Sequence, residues 1–144
     1  MIYNLSNDLE ERSFALRVER LRAAGAMVEL TEKKARSLSQ NSYCHVAISY
    51  FALQMGITSA EAKEVFFKGV CNADIFTRKR YSEALEREYN YLRSTADLTK
   101  EEMSTAIDRF LKFAAENGIY IASPDDYVGM LHMEHDVQMS QKYL

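Results

Sequence analysis

Apolar residues recur at intervals of three and four along most of the chain, which is the period of an amphipathic helix. The most apolar of these helices is predicted to begin near Ser37 or Ser39, either of which can cap it, and to end at Gly56. One face of this helix is predicted to be buried, and it consists of Leu38, Cys44, Ala47, Ile48, Phe51 and Met55.

Four more helices are predicted from stripes of the same period. Asn7 can cap the first of them and Gly25 can end it. Thr58 and Thr99 each precede a glutamate by three residues, which is the spacing of a capping box. The last helix is expected to begin with Pro124 at its first position. The apolar side of this last helix is Tyr127, Met130, Met133 and Val137. The apolar side of the helix that begins at Thr58 is Ala62, Val65, Phe66, Gly69 and Val70.

Alternating residues predict strands at 2–5 and 26–31, which with the first helix would form a parallel strand–helix–strand unit. Residues 75–93 fit either a helix or two strands with a turn near Ser82 and Glu83, and their β-branched and aromatic content favours the strands. The predicted fold is therefore α+β and mostly helical. Its order is an N-terminal strand-helix-strand, central helices, a short hairpin and two C-terminal helices.

The composition is that of one ordinary globular domain spanning residues 1–144, with 47% hydrophobic and 27% charged residues. Neither a membrane span nor a signal peptide is recognisable, so we expect a cytoplasmic protein without membrane contact. Cys44 and Cys71 fall at apolar helix positions without a C-x-x-C spacing. They are predicted to be reduced core residues.

The net charge of -3 conceals an uneven distribution. Residues 1–80 hold twelve Lys and Arg against nine Asp and Glu, or +3, and residues 81–144 hold six against twelve, or -6. A nucleic-acid-binding protein needs a basic footprint, not a basic whole chain, because only cations near phosphates release counterions. The overall acidity weakens that class of function without excluding it.

A basic, polar segment leads into the most apolar helix, and it is the first candidate site. Cations, amide side chains and the free N–H groups of a helix start are gathered there, which suits an anion such as phosphate. The alternative is an ordinary cap preceded by a solvated turn. The residues are Lys33, Lys34, Arg36, Ser37, Gln40 and Asn41. The amides of Gln40 and Asn41 could equally bind the protein's own loop, most plausibly around Ser94 and Thr95.

The second candidate site is the strand interpretation of residues 87–93, which places Arg87, Tyr89, Tyr91 and Arg93 on one face. Three more cations come just before it: Arg78, Lys79 and Arg80. Aromatic rings that stack on bases and cations that follow phosphates are the combination that binds single-stranded nucleic acid. The alternative is a pair of tyrosines packed on a helix with arginines around them.

Motifs of covalent chemistry are missing from the sequence: it has no glycine-rich phosphate loop, no G-x-S-x-G and no H-E-x-x-H. His132 and His135 could share a metal with Asp136 or Glu134, but no further ligand is identifiable elsewhere. His45 is expected to be structural. We therefore predict no catalytic residue, no metal and no cofactor, and a protein that is not an enzyme.

Three blocks in two separated segments, residues 36–41 and 94–124, resemble a known family. Residues 36–41 read R-S-L-S-Q-N and lead into an aromatic-rich helix, residues 94–99 read S-T-A-D-L-T, and residues 118–124 read G-I-Y-I-A-S-P. In order and spacing these blocks resemble the NinB-like (Orf) phage recombination proteins. Residues 72–91 and the tail after Tyr127 carry no matching motif.

The resemblance implies a recombination mediator of phage or prophage origin, acting without covalent chemistry in the cytoplasm of a bacterial host. It would be a homodimer that binds single-stranded DNA and the host single-strand-binding protein. The apolar side of the last helix is the predicted subunit contact, with packing inside the chain as the alternative. The alternative function is a protein-interaction or structural module of a mobile element that does not bind DNA and uses its acidic C-terminal half.

Overall fold

The fold is taken from a computed structural model of the protein, which describes residues 1–32 and 38–144. The long helices are α1 (Asp8–Ala23), α2 (Gln40–Met55), α5 (Lys100–Glu116) and α6 (Tyr127–Met139). Between α2 and α5 lie the short α3 (Ser59–Glu61), a π-helix (Ala62–Val70), α4 (Ala73–Phe76), β1 (Thr77–Ser82), β2 (Arg87–Leu92) and a 3-10 turn (Thr95–Asp97). A last 3-10 turn spans Gln141–Tyr143. The predicted mostly helical α+β class is confirmed.

Helix α2 contributes the centre of the core. Cys44, Ala47, Ile48 and Phe51 are buried as predicted, whereas Met55 is 43% exposed because it is the last residue of the helix. The ring of Phe51 lies 5.0 Å from that of Phe110 in α5, centroid to centroid. These contacts fix α2 against α5, and both helices begin beside the candidate site described below.

The predicted helix ends at α2 and α5 are confirmed. Ser39 Oγ accepts a hydrogen bond from the Ser42 N–H at 3.2 Å, and Gly56 ends α2 with a φ of 72°, in the left-handed region that favours glycine. Thr99 Oγ1 accepts from the Glu102 N–H at 3.1 Å, and the Glu102 carboxylate accepts from the Thr99 N–H at 3.0 Å. This reciprocal pair is the predicted capping box.

The helix after Thr58 differs from its prediction because most of it is a π-helix. A π-helix has bonds from residue i to residue i+5, so residues five apart share a face. Ala62, Phe67 and Asn72 are accordingly all fully buried, whereas Val65 and Val70 of the predicted stripe are 48% and 55% exposed. The prediction assumed the α-helical period and therefore identified the buried face only in part: Ala62 is buried and Phe66 packs against the core, but Phe67 was left out.

The predicted strands at 2–5 and 26–31 are wrong. Helix α1 forms as predicted between them, but neither segment is extended sheet, and Met27 and Leu30 are 101% and 81% exposed. A strand needs a neighbouring strand to satisfy its backbone groups. In the described ranges the only sheet is the hairpin of β1 and β2, which pair with each other alone.

Helix α6 begins three residues later than predicted. Pro124 lies in a turn closed by a bond from the Asp126 N–H to the Ser123 carbonyl, and Asp126 caps the helix by accepting from the Gly129 N–H at 3.0 Å. Met130 and Met133 are 4% and 3% exposed, so they pack within the chain. They are not available for the subunit contact that the sequence suggested.

Candidate nucleic-acid interface

The hairpin predicted for residues 75–93 is confirmed, and its register sorts the side chains between two faces. Arg78 lies opposite Tyr91, Arg80 opposite Tyr89, and Ser82 opposite Arg87. Residues directly opposite in an antiparallel pair share a face, so these six side chains lie together. We call the five cationic and aromatic members the basic aromatic face: Arg78, Arg80, Arg87, Tyr89 and Tyr91.

Arginine and tyrosine are in direct contact on the basic aromatic face. The guanidinium carbon of Arg80 lies 4.3 Å from the centroid of the Tyr91 ring, within the range of a cation–π contact. The Tyr89 and Tyr91 rings are 6.4 Å apart and tilted by 53°. Hydrogen bonding to the phenol groups of Tyr91 and Tyr89 raises the pKa of the Arg80 guanidinium. No acidic residue occupies this face.

Lys79 is not part of the basic aromatic face, although it belongs to the predicted site. It lies opposite Asn90, and the next cross-strand pair on the same face is Tyr81 opposite Glu88. Successive residues of a strand point to opposite faces, so a run of three cations cannot all reach one ligand surface. The side with Lys79 also carries the charge of Glu88, which cancels that of the lysine.

Arg93 anchors the hairpin. It follows the end of β2, and its side chain is only 13% exposed. Its guanidinium donates to the Ile75 carbonyl at 3.0 Å, to the Asp97 carbonyl at 3.3 Å and to the Glu102 carboxylate. These bonds take three of the five guanidinium N–H groups, which counts against the predicted contact of Arg93 with DNA.

Glu102, which accepts the hydrogen bond from Arg93, lies in the first turn of α5. The hydrogen bond from the Thr99 backbone, followed by that from Arg93, lowers the pKa of the Glu102 carboxyl. The carboxylate thus holds the helix start and the base of the hairpin at once.

A cleft of about 430 Å³ lies between the first turns of α2 and α5. Its polar lining includes Gln40, Asn41, His45, Thr95 and Lys100, and its apolar lining includes Leu98 and Met103. Gln40 Nε2 donates to the Lys100 carbonyl at 3.2 Å, which joins the two walls. The cleft therefore brings Gln40 and Asn41 beside the S-T-A-D-L-T segment.

The predicted residues Lys33, Lys34, Arg36 and Ser37 lie outside the described residues, which resume at Leu38. The other two members of that set are both in the cleft, but only one of them is free. Gln40 is engaged by the bond above, whereas Asn41 is exposed and makes no side-chain hydrogen bond to the described residues.

Sequence reasoning missed two residues of the cleft, His45 and Lys100, whereas it named Thr95 as a plausible partner of the Gln40 and Asn41 amides. His45 was expected to be structural; it is exposed and lines the cleft one helical turn after Asn41. That i to i+4 spacing was a usable signal. Lys100 could not have been found, since it lies sixty positions away from Gln40.

The other residues considered for chemistry are the histidine cluster at 132–136 and the two cysteines. In the described ranges no three His, Cys, Asp or Glu side chains are grouped so as to hold a metal ion. Cys44 and Cys71 are free, and burial raises the pKa of their thiols to about 12 and about 11. Among residues 1–32 and 38–144, no helix has both the length and the apolar character that crossing a membrane requires.

Strand β2 leads into the cleft wall through Arg93, so the basic aromatic face and the cleft are consecutive along the chain.

When the chain was compared with protein-family models, with curated proteins and with solved structures, no match was found.

Proposed function

We propose that this protein binds single-stranded DNA and acts, without covalent chemistry, as a recombination mediator of phage or prophage origin in the bacterial cytoplasm. The observation that carries the proposal is the basic aromatic face, with three arginines around two tyrosines and no acid. The family resemblance supplies the biological setting and a second partner, the host single-strand-binding protein.

The geometry suits a single strand better than a duplex. Tyr89 is 38% exposed and Tyr91 is half-buried, so ring surface is open to unstacked bases, while the arginines can follow phosphates. Stacking of a base on an aromatic side chain contributes about 1–3 kcal/mol and tolerates any base. Bases in a duplex are already stacked and do not offer their faces.

Fluorescence anisotropy with a labelled oligonucleotide over a salt series tests the proposal. Three arginine–phosphate contacts per protomer predict that log K falls with log salt with a slope of about -2, since each contact to a single strand contributes about -0.7. Absence of binding at low salt would refute the proposal and favour an interaction module that does not touch DNA.

The hairpin offers matched variants for the same measurement. Arg80→Ala and Tyr91→Ala should each weaken binding about tenfold, because one removes a phosphate contact and the other a stacking surface. Lys79→Ala and Tyr81→Ala, on the opposite face, are the controls and should stay within about twofold. Equal losses from both faces would show that binding follows the charge of the hairpin and not this surface.

Assembly as a homodimer is part of the proposal, and α1 supports it. The helix buries none of its 16 residues in the chain. Leu9 and Leu16, seven residues apart and therefore on one face, are 73% and 62% exposed. Arg12 and Glu19, also seven apart, lie beside this seam and are exposed. Two antiparallel copies of α1 would bury the leucines and place each Arg12 against the partner's Glu19. Within the described part of one chain, Glu19 pairs with Arg22 at the surface.

Light scattering on the full chain tests this contact. We expect a dimer, which Leu9→Lys combined with Leu16→Lys should convert to a folded monomer, while Leu85→Lys at the exposed hairpin turn leaves it intact. Arg12→Glu should weaken the dimer through like charges, and adding Glu19→Arg should restore it. A wild-type monomer, or a charge exchange that fails to rescue, would contradict the α1 interface.

A further inference from the structure

The cleft between α2 and α5 has the features of a small-ligand site. Its volume of about 430 Å³ lies within the range of about 300–1,000 Å³ that such sites occupy. It combines an apolar part, made by the buried Met103 and the half-buried Leu98, with polar groups. Asn41, His45 and Lys100 make no side-chain hydrogen bonds to the described residues, so their donors and acceptors are open to a ligand.

The bonded groups of the cleft fix its shape. The Gln40 amide ties the two walls together through the Lys100 carbonyl, and the Thr99 hydroxyl and Glu102 close the capping box at the start of α5. Of the two carboxamides in this lining, that of Asn41 makes no hydrogen bond to the described residues, while the walls beside it are held by the bonds above. A planar ligand could lie against the apolar part while its edge meets that carboxamide.

We propose that this cleft binds one unpaired nucleobase, with the Asn41 carboxamide on the base edge and Lys100 near the attached phosphate. A carboxamide donates and accepts side by side, which matches the N6 and N7 groups of adenine. Other unpaired bases also offer a donor beside an acceptor on their Watson–Crick edges, and the proposal commits to the N6 and N7 edge of adenine as the one that Asn41 contacts. This inference deepens the proposed function, because the cleft follows the hairpin along the chain and would add base preference to contacts that are independent of sequence.

The test is an amide-resolved NMR titration of the full chain with deoxyadenosine monophosphate, thymidine monophosphate and inorganic phosphate. The adenine nucleotide should shift the Asn41 side-chain amide and bind about tenfold more tightly than the thymine nucleotide, the discrimination expected of a bidentate contact. Asn41→Ala should remove this preference. Gln54→Ala, an exposed amide at the far end of the same helix, is the matched control and should keep it.

The outcomes separate the cleft from the hairpin. Loss of strand binding in Arg80→Ala with Tyr91→Ala, together with unchanged nucleotide binding, supports both sites. Nucleotide binding by a protein that binds no oligonucleotide would refute the proposed function alone. Shifts that phosphate reproduces, an unmoved Asn41 amide, or an Asn41→Ala variant that retains the preference would each overturn the nucleobase site.

Discussion

Phe51→Ala should cost about 3–5 kcal/mol of unfolding free energy, the largest effect expected of a single apolar substitution in this chain. The side chain is fully buried, and its ring lies within 5.0 to 6.1 Å of those of Phe66, Phe110 and Phe113. These rings come from the π-helix and α5, so the substitution removes the group that joins three elements. The cavity cannot close easily, because its walls belong to different helices.

Chemical denaturation monitored by circular dichroism measures this loss. Phe51→Leu keeps part of the volume and should cost roughly 1–2 kcal/mol. Tyr143→Ala, at an aromatic side chain that is 70% exposed, is the control and should change the free energy by less than about 0.5 kcal/mol. A Phe51→Ala variant within about 1 kcal/mol of wild type would show that this aromatic cluster is not the centre of the core.

The parts of the fold that the sequence predicts correctly are those determined by near neighbours. The caps at Ser39, Gly56 and Thr99 each depend on residues within four positions, and all three are confirmed. The hairpin also follows from local composition, because β-branched and aromatic residues flank a polar turn. Local chemistry is sufficient in these cases.

Prediction failed where the outcome depends on contacts distant in sequence. Residues 26–31 have a strand pattern, but no strand lies beside them in the described part of the chain, and the pattern cannot reveal that. The buried face of the helix after Thr58 was predicted incompletely for a different reason. The period of a π-helix is longer than that of an α-helix, so Phe67 joins Ala62 on the fully buried face beside the half-buried Phe66, while Val65 and Val70 are exposed.

In the candidate site, too, the features set by near neighbours were predicted correctly and those set by residues distant in sequence only in part. Alternation along the strands correctly groups Arg87, Tyr89 and Tyr91 and places Arg93 with them, but it cannot show that Arg93 bonds to groups on α4, the 3-10 turn and α5. The cleft depends on a contact between Gln40 and Lys100. The sequence suggested its approximate location, since the Gln40 and Asn41 amides were expected either to face a ligand or to bind the loop around Ser94 and Thr95.

Asn72→Ala should destabilise the protein by about 3 kcal/mol, because a fully buried amide bridges two elements. Its Nδ2 donates to the Phe67 carbonyl at 2.8 Å and to the Ala106 carbonyl at 3.1 Å, joining the π-helix to α5. Without the amide, both carbonyls lose a buried donor. Asn117→Ala is the matched control, since Asn117 makes the same kind of bond to the Phe113 carbonyl at the surface and should cost less than about 1 kcal/mol.

Asn72→Asp extends this test because it changes the donor to an acceptor at nearly constant volume. At neutral pH a carboxylate would face the oxygens of Phe67 and Ala106, so the loss should exceed that of Asn72→Ala. Burial disfavours the charged form, and the folded variant should therefore bind a proton at a higher pH than the unfolded chain does. Stability relative to Asn72→Ala must then rise as the pH falls and be lost as it rises. Denaturation of both variants between pH 5 and pH 8 measures the difference, and a gap that stays constant with pH would show that the introduced carboxyl reaches solvent.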